Sequence, residues 1–413
     1  MTYSNIKTAF EAILNKERHE LLTSDIFRTP LICCERGPFG IPIQVPIDHE
    51  DYSFSAFFNK AESSQYILSR LRSQRFSLKP NLKGRKYLFR GQSNFYPSCT
   101  PSIYRTGKNE DTNYLIEECA LGQELMLLML SHPLVQLLDF GFPLGRLYFR
   151  IEMNLFGLTQ HYYNKTNLLD FTSDPLVAAF FATSDYDPQT DTYSPVLDEN
   201  RSGVLYFYNL NPETSFKTDN LRSIGLQVFP RSGAQKGFLL EMSKDEDLNK
   251  YSNVEYVTFN HNAELSQKIF DMMLGGKLLF PDDILARHWN TYNKNQKFVS
   301  KSAMVLNSII NSHEKYSLLV DAIKEYGYEI KNYKPSFNPE ELTEYYQDVK
   351  NGFWEEFCTK IYLPADKNGK LREQLLRVES SNDYKWAFSP NVSHLINFKE
   401  GFLQNMYEKA LIA

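Results

Sequence analysis

Tyr87-Leu88-Phe89-Arg90-Gly91-Gln92 is an apolar run that ends in a cation, a glycine and an amide. Three bulky apolar residues in succession predict a short strand, and that strand carries Arg90 to its end. Gly91 has no side chain, so a ligand can approach the backbone there while the Arg90 guanidinium holds an anion and Gln92 adds a donor. The competing explanation of such an arginine is structural: a buried guanidinium paired with a core carboxylate.

A second stretch shifts the balance toward a site. Gln160-His161-Tyr162-Tyr163 leads into Asn167-Leu168-Leu169-Asp170-Phe171-Thr172-Ser173-Asp174-Pro175, followed by Leu176-Val177-Ala178-Ala179-Phe180-Phe181-Ala182. Thr172, Ser173 or Asp174 can cap a helix whose first turn holds Pro175, after which Val177, Ala178, Phe181 and Ala182 recur at helical spacing. His161 stands in Gln-His-Tyr before an apolar strand, a setting that suits a hydrogen-bonded core histidine better than a base. No second histidine lies near it at metal-binding spacing.

Phe89-Arg90-Gly91 matches the motif that gives the FRG-domain family its name. Gln160-His161-Tyr162, the Leu168 to Ala182 block, Arg231-Ser232-Gly233-Ala234-Gln235-Lys236-Gly237-Phe238 and Leu279-Phe280-Pro281-Asp282 extend the likeness. On these motifs the chain resembles the FRG-domain family over roughly residues 55 to 290. The family name carries no established chemistry.

A second, more distant resemblance is to the arginine-type ADP-ribosyltransferases. A strand ending in Arg-Gly, a strand ending in Thr-Ser that feeds a helix, and a glycine-punctuated last strand follow the order of elements in that superfamily. The resemblance implies an α/β fold with a split β-sheet, flanking helices and a mostly helical C-terminal region. It implies NAD as substrate, with Arg90 on the phosphate or ribose, Gly91 and Gln92 beside the nicotinamide, and Thr172 and Ser173 buttressing the strand. His161 and Tyr162 would complete the site, with Tyr162 or Phe180 stacking on a ring. It also implies a bacterial toxin or phage-defence effector that modifies RNA, DNA or protein, with a cognate inhibitor or chaperone as a further partner.

The chain departs from that pattern where the superfamily places a catalytic glutamate. Gln235 stands near the start of the expected last strand, Gln235 to Glu241, where the acid or its helper amide belongs. Period-two alternation puts Gln235, Gly237, Leu239 and Glu241 on one face, but Glu241 lies about 20 Å along a straight strand from Gln235. Three alternatives remain: another carboxylate, such as Asp170, Glu152 or Glu241; a nucleophile that needs little activation, oriented by Gln235; or a nucleotide- or protein-binding module without catalysis. No compact set of acidic metal ligands is present, so a metal-dependent nuclease is disfavoured and no metal is expected.

Composition bounds these alternatives. The 413 residues suffice for two or three domains, 42% are hydrophobic, and 26 Tyr and 30 Phe make the chain rich in aromatics. A net charge of −5 gives no global basic field for nucleic acid; the densest basic segment, Arg70 to Lys86, reads as a solvated helix face and loop. Five cysteines without metal-ligand spacing point to a reducing cytosol. With no signal pattern and no apolar window near the ~20 residues of a membrane span, a soluble cytoplasmic protein is expected.

Along the chain, residues 1–54 read as a helix from Ile6 to Leu22 followed by Pro-rich extended chain, residues 55–294 as the FRG domain, and residues 295–413 as a helical C-terminal region. Within the FRG domain, helices are predicted over 55–74, 114–130, 144–163 and 262–274, and a further helix beyond Leu279-Phe280-Pro281-Asp282. The stretch 186–202 reads as an irregular polar loop before the strand Gly203 to Tyr208.

Overall fold

The computed structural model describes residues 2–23, 34–36, 42–44, 66–70, 76–80, 85–105, 111–132, 135, 142–144, 147–149, 153–162, 164–210, 220–225, 227–292, 297–310, 316–338, 340–341 and 361–362. The chain divides into two compact units, one drawn from residues 1–73, 77–101 and 168–282 and the other from 74–76, 102–167 and 283–413.

The first unit is an α/β layer built on a seven-stranded sheet. Its strands are β1 (Thr2–Tyr3), β2 (Tyr87–Gln92), β3 (Leu168–Thr172), β4 (Ser202–Asn209), β5 (Leu221–Ser223), β6 (Gly237–Glu241) and β7 (Val254–Asn260), in the spatial order β1-β7-β4-β2-β3-β6-β5. All neighbours are antiparallel except β1 and β7. β4 pairs with β2 from Val204↔Gln92 to Asn209↔Tyr87, and β3 with β6 from Gly237↔Thr172 to Glu241↔Leu168. Between β2 and β3 the ladder holds at one residue pair, Phe89↔Thr172. The sheet therefore splits into two halves at the strand that carries Arg90.

Alternation sorts the side chains onto two faces. Tyr87, Phe89, Leu205 and Phe207 pack against Ile6, Ala9 and Ile13 of the Ile6–Thr23 helix and against Ala178, Ala179 and Ala182 of the Pro175–Thr183 helix. Leu88, Leu169, Phe171, Tyr206, Tyr208, Phe238 and Leu240 form the opposite core with Cys99, Met242 and Leu248. The N-terminal helix is tied to β2 by the buried Glu17 carboxylate, which accepts from the backbone N–H of Lys86 at 2.7 Å and of Tyr87 at 3.0 Å.

The Pro175–Thr183 helix forms as its sequence dictates. Asp174 caps it by accepting from Leu176 N–H at 2.9 Å, and Pro175 occupies the first turn, where its missing N–H costs nothing. Its small residues let the helix lie close to β2. A Cβ on Gly91 would stand 2.0 Å from the Ala178 carbonyl oxygen and 2.8 Å from Ala182 Cβ, a contact that backbone cannot relieve by rotating a side chain.

The second unit is mostly helical. Asp111 caps the Thr112–Ser131 helix, which packs with the Lys301–Ile310 and Tyr316–Glu325 helices around Ile116, Ala120, Met304, Leu319 and Ile323. A parallel pair, Phe298–Ser300 with Glu329–Lys331, lies among them. The helix expected after Leu279 to Asp282 runs over Ile284–Tyr292, with the Asp283 carboxylate accepting from Ala286 N–H.

Several local expectations are corrected. Tyr66–Arg70 is a strand rather than part of a helix over 55–74, because adjacent Tyr66 and Ile67 favour a pleated backbone over the helical spacing of their neighbours. Among the described residues of 144–163 only Leu155–His161 is helical, and Phe142–Leu144 pairs with Leu147–Phe149 as antiparallel strands. The polar stretch after Tyr186 is a hairpin, Ser184–Asp187 with Thr192–Pro195, in which Tyr186 and Tyr193 stand opposite with ring centroids 5.1 Å apart. Of the C-terminal helical region, most residues beyond 341 lie outside the described residues, as does Glu152.

Candidate functional site

Arg90 lies next to the pair that joins the two half-sheets, on the face it shares with Leu88 and Gln92. Its Nη1 donates to the Asp170 backbone carbonyl at 2.9 Å, bridging the seam. Its Nε is buried without a protein partner, and no carboxylate pairs with the guanidinium among the described residues. A half-buried cation left with one neutral acceptor is an unfavourable arrangement unless an anion completes it.

The neighbour of Arg90 across the ladder is a fully buried aromatic residue. Tyr206 of β4 stands directly opposite Arg90, and burial, with Cys99 beside it, pushes the Tyr206 hydroxyl upward in pKa while the Arg90 guanidinium pulls the other way. The Tyr206 hydroxyl donates to Asn249 Oδ1 at 3.0 Å. Gln92, at the end of β2, faces Cys99, whose Sγ lies 3.7 Å from Gln92 Oε1.

Thr172, Ser173 and Gln235 form a second cluster, on the seam's other side. The Thr172 hydroxyl donates to the Gln235 carbonyl at 2.7 Å and accepts from Asp174 N–H at 3.0 Å, while Ser173 N–H reaches the Lys236 carbonyl at 3.4 Å. Lys236 adopts a left-handed φ of 47° and pairs with Asp174 at 2.7 Å. Gln235 is not on a strand: it ends the short helix Arg231–Ala234, β6 begins at Gly237, and β6 is followed by β7 rather than closing the sheet. A single turn, Gln235-Lys236, with Lys236 in the left-handed region, separates the helix from β6 where period-two alternation was expected. The Gln235 Nε2 donates to the Leu279 carbonyl at 3.2 Å, and the side chain is buried. Glu241 sits at the far end of β6, opposite Leu168, with Arg222 4.0 Å away.

The structure thus brings Thr172, Ser173 and Gln235 together, and sets Arg90 on the opposite face of the adjoining strand, linked to them through the Asp170 carbonyl. The space beside Gly91 is filled by the Pro175–Thr183 helix. Phe180 is fully buried among Phe181, Tyr193 and Phe270. In the second unit, His161 ends the Leu155–His161 helix and is buried, and Tyr162, also fully buried, donates to Asp283 at 2.8 Å. Among the described residues no group of three or more His, Cys, Asp and Glu side chains is placed to hold a metal ion, and no helix is long and apolar enough to cross a membrane.

Tyr206 and its neighbour Tyr256 are features that the sequence reading missed. Alternation in Gly203 to Tyr208 marks Tyr206 as facing one side, but only strand register reveals what stands opposite it.

Residues 85–191 match the family model of the FRG domain, so the chain carries an FRG domain. The matched span includes Phe89-Arg90-Gly91, Gln160-His161-Tyr162 and the Leu168 to Ala182 block; the motifs at 231–238 and 279–282 lie beyond it. No curated protein and no solved structure matches the chain.

Proposed function

We propose that the unit carrying Arg90 binds NAD at the seam of its sheet and transfers ADP-ribose to an acceptor. One observation supports this above the rest: among the described residues the Arg90 guanidinium has a single neutral hydrogen bond and no counter-ion, at the one-pair junction of two half-sheets. A pyrophosphate would supply the missing negative charge and accept from more than one guanidinium nitrogen. In the reaction the bond between the ribose C1′ and the nicotinamide nitrogen breaks and nicotinamide leaves neutral. The acceptor's oxygen or nitrogen bonds to C1′, and the proton it carried passes to solvent. Thr172 and Gln235 brace the adjoining ends of β3 and β6 on one side of the seam. The carboxylate that steadies the cationic sugar is sought among Asp170, Glu152 and Glu241. The setting belongs to the same proposal: a bacterial effector of toxin or phage-defence type acting in the cytoplasm on RNA, DNA or protein, restrained by an inhibitor or chaperone.

A second reading, a nucleotide-binding module without catalysis, is favoured by Gln235. Its amide already serves the Leu279 carbonyl and its own carbonyl already serves Thr172, which leaves it poorly placed to orient an acceptor.

The deciding experiment incubates the purified protein with NAD labelled in either the nicotinamide or the adenylate half, with and without RNA, DNA and cell extract. Transfer predicts nicotinamide release and label on one acceptor, both lost in Arg90→Lys. Binding without release under every condition selects the module, and absence of NAD binding overturns both.

A further inference from the structure

Register carries the Arg90 row onward across two more strands. Arg90 on β2 stands opposite Tyr206 on β4, and Tyr206 stands opposite Tyr256 on β7. The Tyr206 and Tyr256 rings are 5.6 Å apart, and Phe95 stacks on Tyr256 with centroids 5.3 Å apart and planes 27° from parallel. Large aromatic residues usually bury most of their surface, yet Phe95 is 37% exposed, Tyr256 39% and Tyr96 51%. At a strand spacing of about 4.8 Å, Tyr256 lies about 10 Å from Arg90 across the sheet.

The loop that presents Phe95 and Tyr96 is held at many points. The Ser93 hydroxyl donates to Asp185 at 2.6 Å, and Arg201 grips the same carboxylate at 2.5 and 2.9 Å while its Nε donates to Asn94 Oδ1 at 3.1 Å. His261, buried and with its pKa lowered by that burial, donates from Nε2 to the Ser93 carbonyl at 2.8 Å. Phe95 N–H reaches the Ser202 carbonyl at 3.3 Å, and Asn249 Nδ2 donates to the carbonyls of Tyr96 at 3.2 Å and Pro97 at 3.0 Å. Asn249 is the same residue that accepts from the Tyr206 hydroxyl, so the loop and the aromatic row are fixed to one another.

We infer that Phe95, Tyr96 and Tyr256 form a stacking platform for the purine base of a nucleotide whose phosphate is held by Arg90. The inference rests on the reading of Arg90 as an anion anchor and adds the base to it. An exposed, pre-ordered aromatic surface favours a planar π-system, since every base has a stacking face and little loop entropy is lost on binding. A cation on the same row, without a counter-ion among the described residues, favours an anion. A nucleotide joins the two chemistries in one ligand. A nucleic-acid strand fits less well, because a net charge of −5 gives no basic field for a strand's further phosphates.

The test uses the whole protein with NAD, AMP, ribose 5-phosphate and adenosine as probes, read by calorimetry and by saturation transfer to the adenine protons. A Phe95→Ala, Tyr256→Ala double variant, checked for an unchanged melting temperature, should bind NAD and AMP about tenfold more weakly or worse while binding ribose 5-phosphate as the parent does. Phe95→Leu, which keeps apolar area and loses the ring, should weaken the same two ligands, and Phe95→Trp should restore them. If NAD binding depends on Arg90 but is the same in the double variant and the parent, the platform is overturned and the anchor stands. If NAD binds regardless of Arg90 while saturation transfer from the parent to adenosine vanishes in the double variant, the platform stands and the anchor falls. No transfer to adenosine or AMP in the parent overturns the platform outright.

Discussion

The Thr172 hydroxyl and the Gln235 carbonyl meet at 2.7 Å, joining the end of β3 to the turn that opens β6. The same oxygen accepts from Asp174 N–H, the residue that caps the next helix. One buried hydroxyl thus serves a strand, a turn and a helix start. Thr172→Val keeps the shape and strands both partners, so a loss of about 1–3 kcal/mol is expected in urea denaturation. Thr172→Ser, which retains the hydroxyl, should cost distinctly less.

Gly91 is fixed by packing. Gly91→Ala would drive its Cβ into the Ala178 carbonyl, which belongs to the helix backbone and has no rotamer to change. The expected cost is about 3 kcal/mol or more, seen as a lowered melting temperature or as insoluble protein. Ala182→Gly in the same chain should rescue it only in part, because the Ala178 clash remains.

Arg90 makes the opposite prediction. A guanidinium with one neutral hydrogen bond, a buried Nε and no paired carboxylate among the described residues contributes little to folding. Arg90→Met should leave stability within about 1 kcal/mol of the parent or raise it, while NAD binding measured by calorimetry disappears. A core arginine paired with a carboxylate would lose several times that stability, so denaturation of this one variant separates the two roles.

Two buried titratable groups in the second unit oppose each other in their pH dependence. Burial holds the Glu124 carboxyl above its ordinary pKa, against hydrogen bonds from Ser300 and Tyr333; its contribution is greatest at acid pH and declines as pH rises from the ordinary glutamate value through the raised one. Burial holds His132 down at about 3, so its contribution is full above pH 6.5 and is lost as pH falls from there toward 3. Melting curves from pH 3 to 8 should therefore show Glu124→Gln removing a decline toward higher pH and His132→Phe removing a decline toward lower pH. Neither slope should exceed about 1.4 kcal/mol per pH unit, the limit for one proton.

Local signals in the sequence were read well where one short segment contains both the cause and the effect. Asp174-Pro175 followed by small and apolar residues specifies a cap, a first turn and a packed face, and the helix runs where those residues place it. Tyr87 to Gln92 and Gly203 to Tyr208 were legible as strands for the same reason. Signals that depend on a partner strand were not. The 184–195 hairpin has polar residues on both sides, and its Tyr186–Tyr193 pair gains meaning only once the strands are opposed. Gln235 looked like a strand residue because alternation continues through it, whereas its carbonyl and amide answer to Thr172 and Leu279, 63 and 44 residues away in sequence. The Arg90 row is the same case at the site: its members come from three strands, and nothing near Arg90 in the chain announces Tyr206 or Tyr256.

The contact between Gly91 and the Pro175–Thr183 helix also separates two kinds of selection acting on neighbouring letters of one motif. In a library randomised at positions 89 to 92 and selected for solubility alone, position 91 would return glycine almost without exception, because any Cβ there meets helix backbone. Position 90 would drift toward apolar residues, since its guanidinium serves one neutral acceptor, the Asp170 carbonyl, within the fold that such a screen rewards. Recovering arginine at 90 would require selection on a ligand. Phe89-Arg90-Gly91 therefore reads as a fold requirement and a binding requirement written side by side.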